Sequence, residues 1–99
     1  MSRTTYTFST TVTKYPGMAG WYFAGVDAPT AAKIKKSREG LPRIGWGSVP
    51  VTATIGTTTW NSSIFPDKKS GTYLLPLKAE VRKKEGIDAG DTVKLTLNI

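Results

Sequence analysis

Residues 20–28 read GWYFAGVDA and residues 71–79 read GTYLLPLKA. Laid one over the other, glycine meets glycine and an apolar run follows in both. The stretch from Phe8 to Val12 falls in the same way on Trp60 to Ile64. Two matches in the same order suggest an internal duplication, and the elements around them can be read outward from that pairing.

In the first half, Tyr6, Phe8, Thr10 and Val12 alternate with Thr5, Thr7, Ser9, Thr11 and Thr13, the period of two expected of a half-buried strand. A turn at Tyr15-Pro16-Gly17 leads into the apolar run that ends at Val26. Asp27 or Ala28 can then cap a short helix, with Pro29 in its first turn where the missing N–H costs nothing. That helix runs from Thr30 to about Arg38 and stops at Gly40 and Pro42. A longer strand begins at Arg43, in which Val49, Val51, Ala53 and Ile55 alternate with Pro50, Thr52 and Thr54. Pro50 cannot donate to a ladder, so the strand is expected at an edge or bulged there.

The second half repeats the order. A Thr-rich strand from Thr57 to Ile64 leads through FPDKKSG to an apolar strand over Thr72–Leu77, then to a helix from Ala79 to Glu85. Gly86 suits the left-handed residue past a helix end, with Ile87 placed to contact Val81 in a Schellman-type stop. Asp88 and Asp91 shape a turn around Gly90. The chain closes with Val93, Leu95, Leu97 and Ile99 alternating inward. Both halves therefore read β-β-α-β. Together they predict one mainly β domain over residues 1–99, with pseudo-repeats of about 4–55 and 56–99. The two units bury their apolar faces against each other as a six-stranded barrel with two short helices.

Within that frame the three consecutive aromatics of the opening stretch divide between two faces. Trp21 and Phe23 share one, Tyr22 and Ala24 the other. A base-stacking strand would interleave cations with its aromatics, and none is present here. A strand buried on both sides is the expectation.

The chain has 99 residues, no Cys and no His, and 14 Lys and Arg against 7 Asp and Glu, a net charge of +7. Absence of cysteine excludes disulfides and thiolate metal sites and favours a reducing cytoplasm. No apolar run approaches the length of a membrane span, and the start of the chain carries no apolar signal region. The positive balance permits binding to a polyanion.

The motifs also resemble a known family. GWYF with a downstream Pro29, the strand VPVTATIG, the Trp60-to-Pro66 segment, YLLPLK, the Val81-Arg82-Lys83 helix and GIDAGDTVKL together resemble the bacterial domain-of-unknown-function family numbered nineteen-oh-five. Asn61-Ser62 stands where a Lys- or Arg-Thr pair is usual in that family. The resemblance implies a double-split β-barrel, similar to the swapped-hairpin barrel of AbrB-like regulators but completed within one chain. It implies no particular activity.

Lacking His and Cys, the chain has neither the commonest general base nor the commonest soft nucleophile. Ser62 or Ser63 with Lys78 is the best remaining pair for catalysis, and strand serines with a solvated lysine explain those residues more simply. The aspartates match no EF-hand spacing, and no Walker A or GxGxxG pattern occurs. A non-enzymatic binding domain without metal or cofactor is expected. Two sites are candidates. The leading expectation is weak binding of nucleic acid or another polyanion, with Lys33, Lys36, Arg82 and Lys83, on the two helices, contacting its phosphates. Alternatively, a barrel-mouth pocket of Trp60, Ser62, Ser63, Phe65 and Tyr73, with Lys78 or Arg82 to receive charge, could take a small anion or a peptide.

Overall fold

The computed structural model describes residues 4–15, 21–39 and 47–99. Six strands and two helices follow in the order β1 (Thr5–Lys14), β2 (Tyr22–Gly25), α1 (Ala28–Ser37), β3 (Val49–Ile55), β4 (Thr58–Asp67), β5 (Thr72–Pro76), α2 (Ala79–Glu85) and β6 (Thr92–Asn98). The strands close into an antiparallel barrel, β1-β2-β5-β4-β3-β6, with β6 returning to β1. This is the mainly β, six-stranded barrel with two helices read from the repeat. The expected turn at Pro16-Gly17, the helix stop at Gly40 and Pro42, the strand start at Arg43 and Trp46 lie outside the described residues.

Exchanging β1 with β4, β2 with β5 and β3 with β6 leaves every neighbour in the ring unchanged. The hydrogen bonds obey the same exchange. The Val26 N–H donates to the Tyr73 carbonyl (2.9 Å), and the Leu77 N–H donates to the Tyr22 carbonyl (2.8 Å). These are the same bond written twice, because Tyr22 aligns with Tyr73 and Val26 with Leu77. Likewise Lys14 faces Tyr22 across β1 and β2, and Pro66 faces Tyr73 across β4 and β5.

Each long strand serves two neighbours in succession. β4 pairs with β3 over Thr58–Ile64 and with β5 only over Phe65–Asp67, while β1 pairs with β6 over Thr5–Thr11 and with β2 over Val12–Lys14. Where a long strand has one partner, the barrel wall is split on its other side. These two openings lie at the level of Phe8 to Thr11 in β1 and of Trp60 to Ile64 in β4.

Alternation fills the interior. Phe8, Val12, Ala24, Val51, Ala53, Ile55, Ile64, Leu75, Leu95 and Leu97 are buried and form one core with Ile34 of α1 and Val81 of α2. α1 starts where Asp27 accepts the Thr30 N–H (2.9 Å), which settles the cap on Asp27 rather than Ala28 and brings Pro29 inside the first turn. α2 ends as read: Gly86 is left-handed (φ 63°), and the Ile87 N–H reaches back to the Arg82 carbonyl (2.9 Å). Beyond it, Asp91 Oδ2 accepts the Asp88 N–H and Asp88 Oδ1 accepts the Ala89 N–H, both at 2.8 Å, bracing the turn at Gly90.

Two expectations are corrected. β3 is not bulged at Pro50, and as a whole it is not an edge strand, although at Pro50 itself it has a single neighbour. Its register with β4 is continuous from Val49 to Ile55, and it lies between β4 and β6. Pro50 is tolerated because β6 pairs only from Thr52 onward, leaving the proline in a stretch with one neighbour. The second correction concerns the opening aromatics, which do not form a strand buried on both sides. Ala24 and Val26 are buried, Tyr22 and Phe23 are half-buried, and Trp21 is 51% exposed. The division between faces holds, and on the outer face the described aromatics pack against one another. Trp21 stacks on Phe23 (centroids 6.0 Å apart), and Tyr15 meets Phe23 edge-on at 4.9 Å.

Candidate functional site

The opening beside β4 is a cleft of about 350 Å³ lined by Trp21, Tyr22, Trp60, Asn61, Ser62, Pro76, Leu77, Lys78, Ala79 and Arg82. Four elements converge there: the start of β2, the half of β4 that lacks β5, the end of β5 and the first turn of α2. Trp60 is buried at the floor, and Trp21 forms an exposed wall.

Arg82 is held in place rather than swinging free. Its Nε–H donates to the Leu77 carbonyl (3.2 Å), and its guanidinium carbon sits 3.8 Å from the Tyr22 ring centroid. Such stacking suits a planar, weakly hydrated cation and leaves the outer guanidinium N–H groups available. Lys14 approaches the same tyrosine ring, at 5.6 Å. Lys78 occupies the N-cap of α2, where it makes no side-chain capping bond. Asn61 accepts from Thr52 Oγ1 (3.2 Å) through its oxygen, so its amide N–H groups remain to be used. Among the described residues, no carboxylate lines the cleft to neutralise Lys78 or Arg82.

The opposite opening, related by the exchange of halves, is built from the aligned positions and is chemically different. Lys78 aligns with Asp27, Arg82 with Ala31, Trp21 with Thr72, Trp60 with Phe8 and Ser62 with Thr10. Ala31 and Tyr73 are buried there, whereas their counterparts Arg82 and Tyr22 are half-buried. Thr10 spends its hydroxyl on the Gly25 carbonyl (2.6 Å). Its counterpart Ser62 lies half-buried in the cleft opposite Pro76. At one opening Ala31 is small and buried and the Thr10 hydroxyl is bonded internally, and the other opening is lined by aromatics and cations.

Of the residues expected in a pocket, the structure brings Trp60, Ser62, Lys78 and Arg82 together. Ser63 and Phe65 do not line the cleft, and Phe65 is 41% exposed. Tyr73 does not either; it is buried at the opposite opening. Sequence reasoning missed Trp21 and Tyr22. The signal for them was the repeat itself, in which Trp21 stands over Thr72. Of the expected polyanion contacts, Lys33, Lys36 and Lys83 are exposed on the helices, while Arg82 lies in the cleft. The described residues contain no cluster of Asp, Glu, His and Cys placed to hold a metal, and no helix long and apolar enough to cross a membrane.

A split barrel closed from two β-β-α-β halves, with a cationic aromatic cleft beside β4, is the class of domain that these features define. The family described as Domain of unknown function (DUF1905) matches residues 8–97, and the chain belongs to that family. No curated protein matches it.

Proposed function

We propose that this domain is a non-catalytic binding module whose cleft beside α2 takes an organic anion, working in a reducing cytoplasm. The observation that carries the reading is the broken equivalence of the two openings. In a barrel whose halves share hydrogen bonds and registers, Asp27 and Ala31 of one opening are replaced by Lys78 and Arg82 in the other. Packing demands no such exchange, since α1 has a capped start and a buried alanine at those positions. Two unneutralised cations in a concave site with aromatic walls suit a ligand that brings a carboxylate or phosphate on an apolar frame.

Net charge supports binding to a polyanion, yet three of the four residues expected to contact one are solvated helix lysines. The cleft adds shape and convergence, so we place it first. Tryptophan fluorescence titrated with phenyl phosphate, benzoate and inorganic phosphate, alongside a labelled mixed DNA pool, tests the choice. The cleft reading expects saturable binding of the aromatic anions, lost in Lys78→Ala and Arg82→Ala and kept in Lys33→Ala, Lys36→Ala. Salt-sensitive DNA binding with no response to the small anions would overturn it in favour of the polyanion.

A further inference from the structure

The cleft runs along the edge of a strand, and this narrows what fits in it. Asn61 lies on the outward side of β4, and Trp60 and Ser62 on the inward side, yet all three line the cleft. The same holds for Pro76 and Leu77 at the end of β5, and for Trp21 and Tyr22 at the start of β2. Side chains from both faces of a strand line one space only when that space follows the strand's edge.

That edge is open. β4 pairs with β3 through Ile64, but its partner on the other side, β5, is engaged only from Phe65 to Asp67. In an extended strand the N–H and C=O groups of successive residues point to alternate sides, so over Asn61–Ile64 half of them point away from β3 and toward the cleft. The same edge of β1 is bridged near its end by the hydroxyl of Thr10 to the Gly25 carbonyl. In β4, Ser62 replaces Thr10, and Pro76, which has no N–H, replaces Gly25.

We infer that the ligand of the cleft is an extended peptide segment carrying a carboxylate. Its backbone adds alongside β4 at Asn61–Ser63, and its carboxylate, from a C-terminus or from an acidic side chain, meets Arg82 and Lys78. Strand addition of this kind draws affinity from main-chain hydrogen bonds and specificity from side-chain pockets. Trp21 and Trp60 supply apolar surface, and the two cations supply the complementary charge. The apolar surface continues outward from Trp21 to Phe23, which pairs with Pro76, and across β5 to Leu74, which pairs with the exposed Phe65. A peptide longer than the cleft finds that track beside it.

The inference rests on the anion reading of the cleft, and the test separates the two. Fluorescein-labelled pentapeptide pools rich in Val and Phe, with a free C-terminus, are titrated by fluorescence polarisation. They are compared with amidated pools, with amidated pools carrying an internal Asp, and with pools N-methylated at alternate residues. N-acetyl-phenylalanine serves as the small anion, followed by competition and by tryptophan fluorescence. Arg82→Ala and Arg82→Lys are run in parallel, with circular dichroism to show that each folds. The expected result is binding of a carboxylate-bearing pool, weakened tenfold or more by alternate N-methylation and by Arg82→Ala, with partial recovery in Arg82→Lys. The amidated and Asp pools identify which carboxylate is read. If N-acetyl-phenylalanine binds in an Arg82-dependent way while N-methylation changes nothing, the peptide inference fails and the anion cleft stands. If neither peptide nor small anion binds through Arg82, both fail.

Discussion

Replacing Lys78 by Asp is expected to make the protein more stable and at the same time to destroy anion binding. The two helix starts are equivalent in backbone: the Asp27 carbonyl accepts the Ala31 N–H (2.8 Å), and the Lys78 carbonyl accepts the Arg82 N–H (3.1 Å). Both cap residues are extended, with φ and ψ near −64° and 157° for Asp27 and −68° and 155° for Lys78. Only Asp27 has an oxygen to offer, and it takes the Thr30 N–H at 2.9 Å. In α2 the corresponding N–H belongs to Val81, and a lysine cannot accept it. A good cap is worth about 1 kcal/mol over a residue that cannot cap. Removing a cation from the positive end of a helix adds a few tenths more. For a domain of this size, a gain of about 1 kcal/mol raises Tm by roughly 4–8 °C. Binding moves the other way, because one charge-assisted contact is lost and a repelling carboxylate is put in its place. Losing the contact alone costs about 1.5–3 kcal/mol, a weakening of tenfold or more. Thermal melts at low ionic strength and titration with phenyl phosphate read the two effects separately. An unchanged or lowered Tm in Lys78→Asp would refute the equivalence of the two openings, and retained affinity would refute the role of Lys78.

Asp27→Ala removes the cap that α1 does possess and is expected to lower stability by about 1 kcal/mol in denaturant titration, with the cleft unaffected. Gly56→Ala is expected to cost roughly 2–3 kcal/mol, because Gly56 has φ 59° and a Cβ there would overlap the Glu85 carboxylate, which holds Thr58 Oγ1 at 2.5 Å. Gly71→Ala, at φ 73° with open space around it, carries only the backbone strain of about 1 kcal/mol, and a Glu85→Ala background should erase the difference between the two. Ala31→Arg copies the cleft's arginine into the opposite opening. Because Ala31 is 1% exposed, it is expected to cost about 3 kcal/mol or more, measured as a fall in urea midpoint, without creating a second site.

Much of this fold was legible because local signals and the repeat agreed. Strand alternation placed Leu95 and Leu97 inward, Gly86 marked the end of α2, and aligning Gly20 with Gly71 brought the matched β2 and β5 into register. Periodicity reports which residues share a face and says nothing of whether that face is covered. Trp21 and Phe23 were therefore grouped correctly and buried wrongly. The same limit explains Phe65 and Tyr73. Their phase in β4 and β5 is readable, but which opening each strand faces is set by where a long strand changes partner. That switch, at Ile64–Phe65 in β4, leaves no mark in a single strand's pattern. The aligned halves carried the missing information at Lys78 over Asp27 and Arg82 over Ala31, where charge departs from an otherwise matching frame.

A closed barrel made from two like halves acquires two openings whether or not it uses them, because each ten-residue strand must leave one sheet to join the other. Each opening exposes backbone that the strand ladder does not satisfy, and that backbone must meet a helix, a side chain or a ligand. At β1, the Thr10 side chain ties the strand to β2 through the Gly25 carbonyl. At β4, the hairpin start is fastened to α2 through Thr58 and Glu85, and the next stretch faces the cleft. The same bond ties α2, and with it Lys78 and Arg82, to the strand whose edge they overlook. Position and chemistry of the cleft thus have separate origins. The topology supplies an unpaired edge at a fixed place, and a few substitutions against the repeat decide that this edge, and not its twin, is lined by aromatics and positive charge.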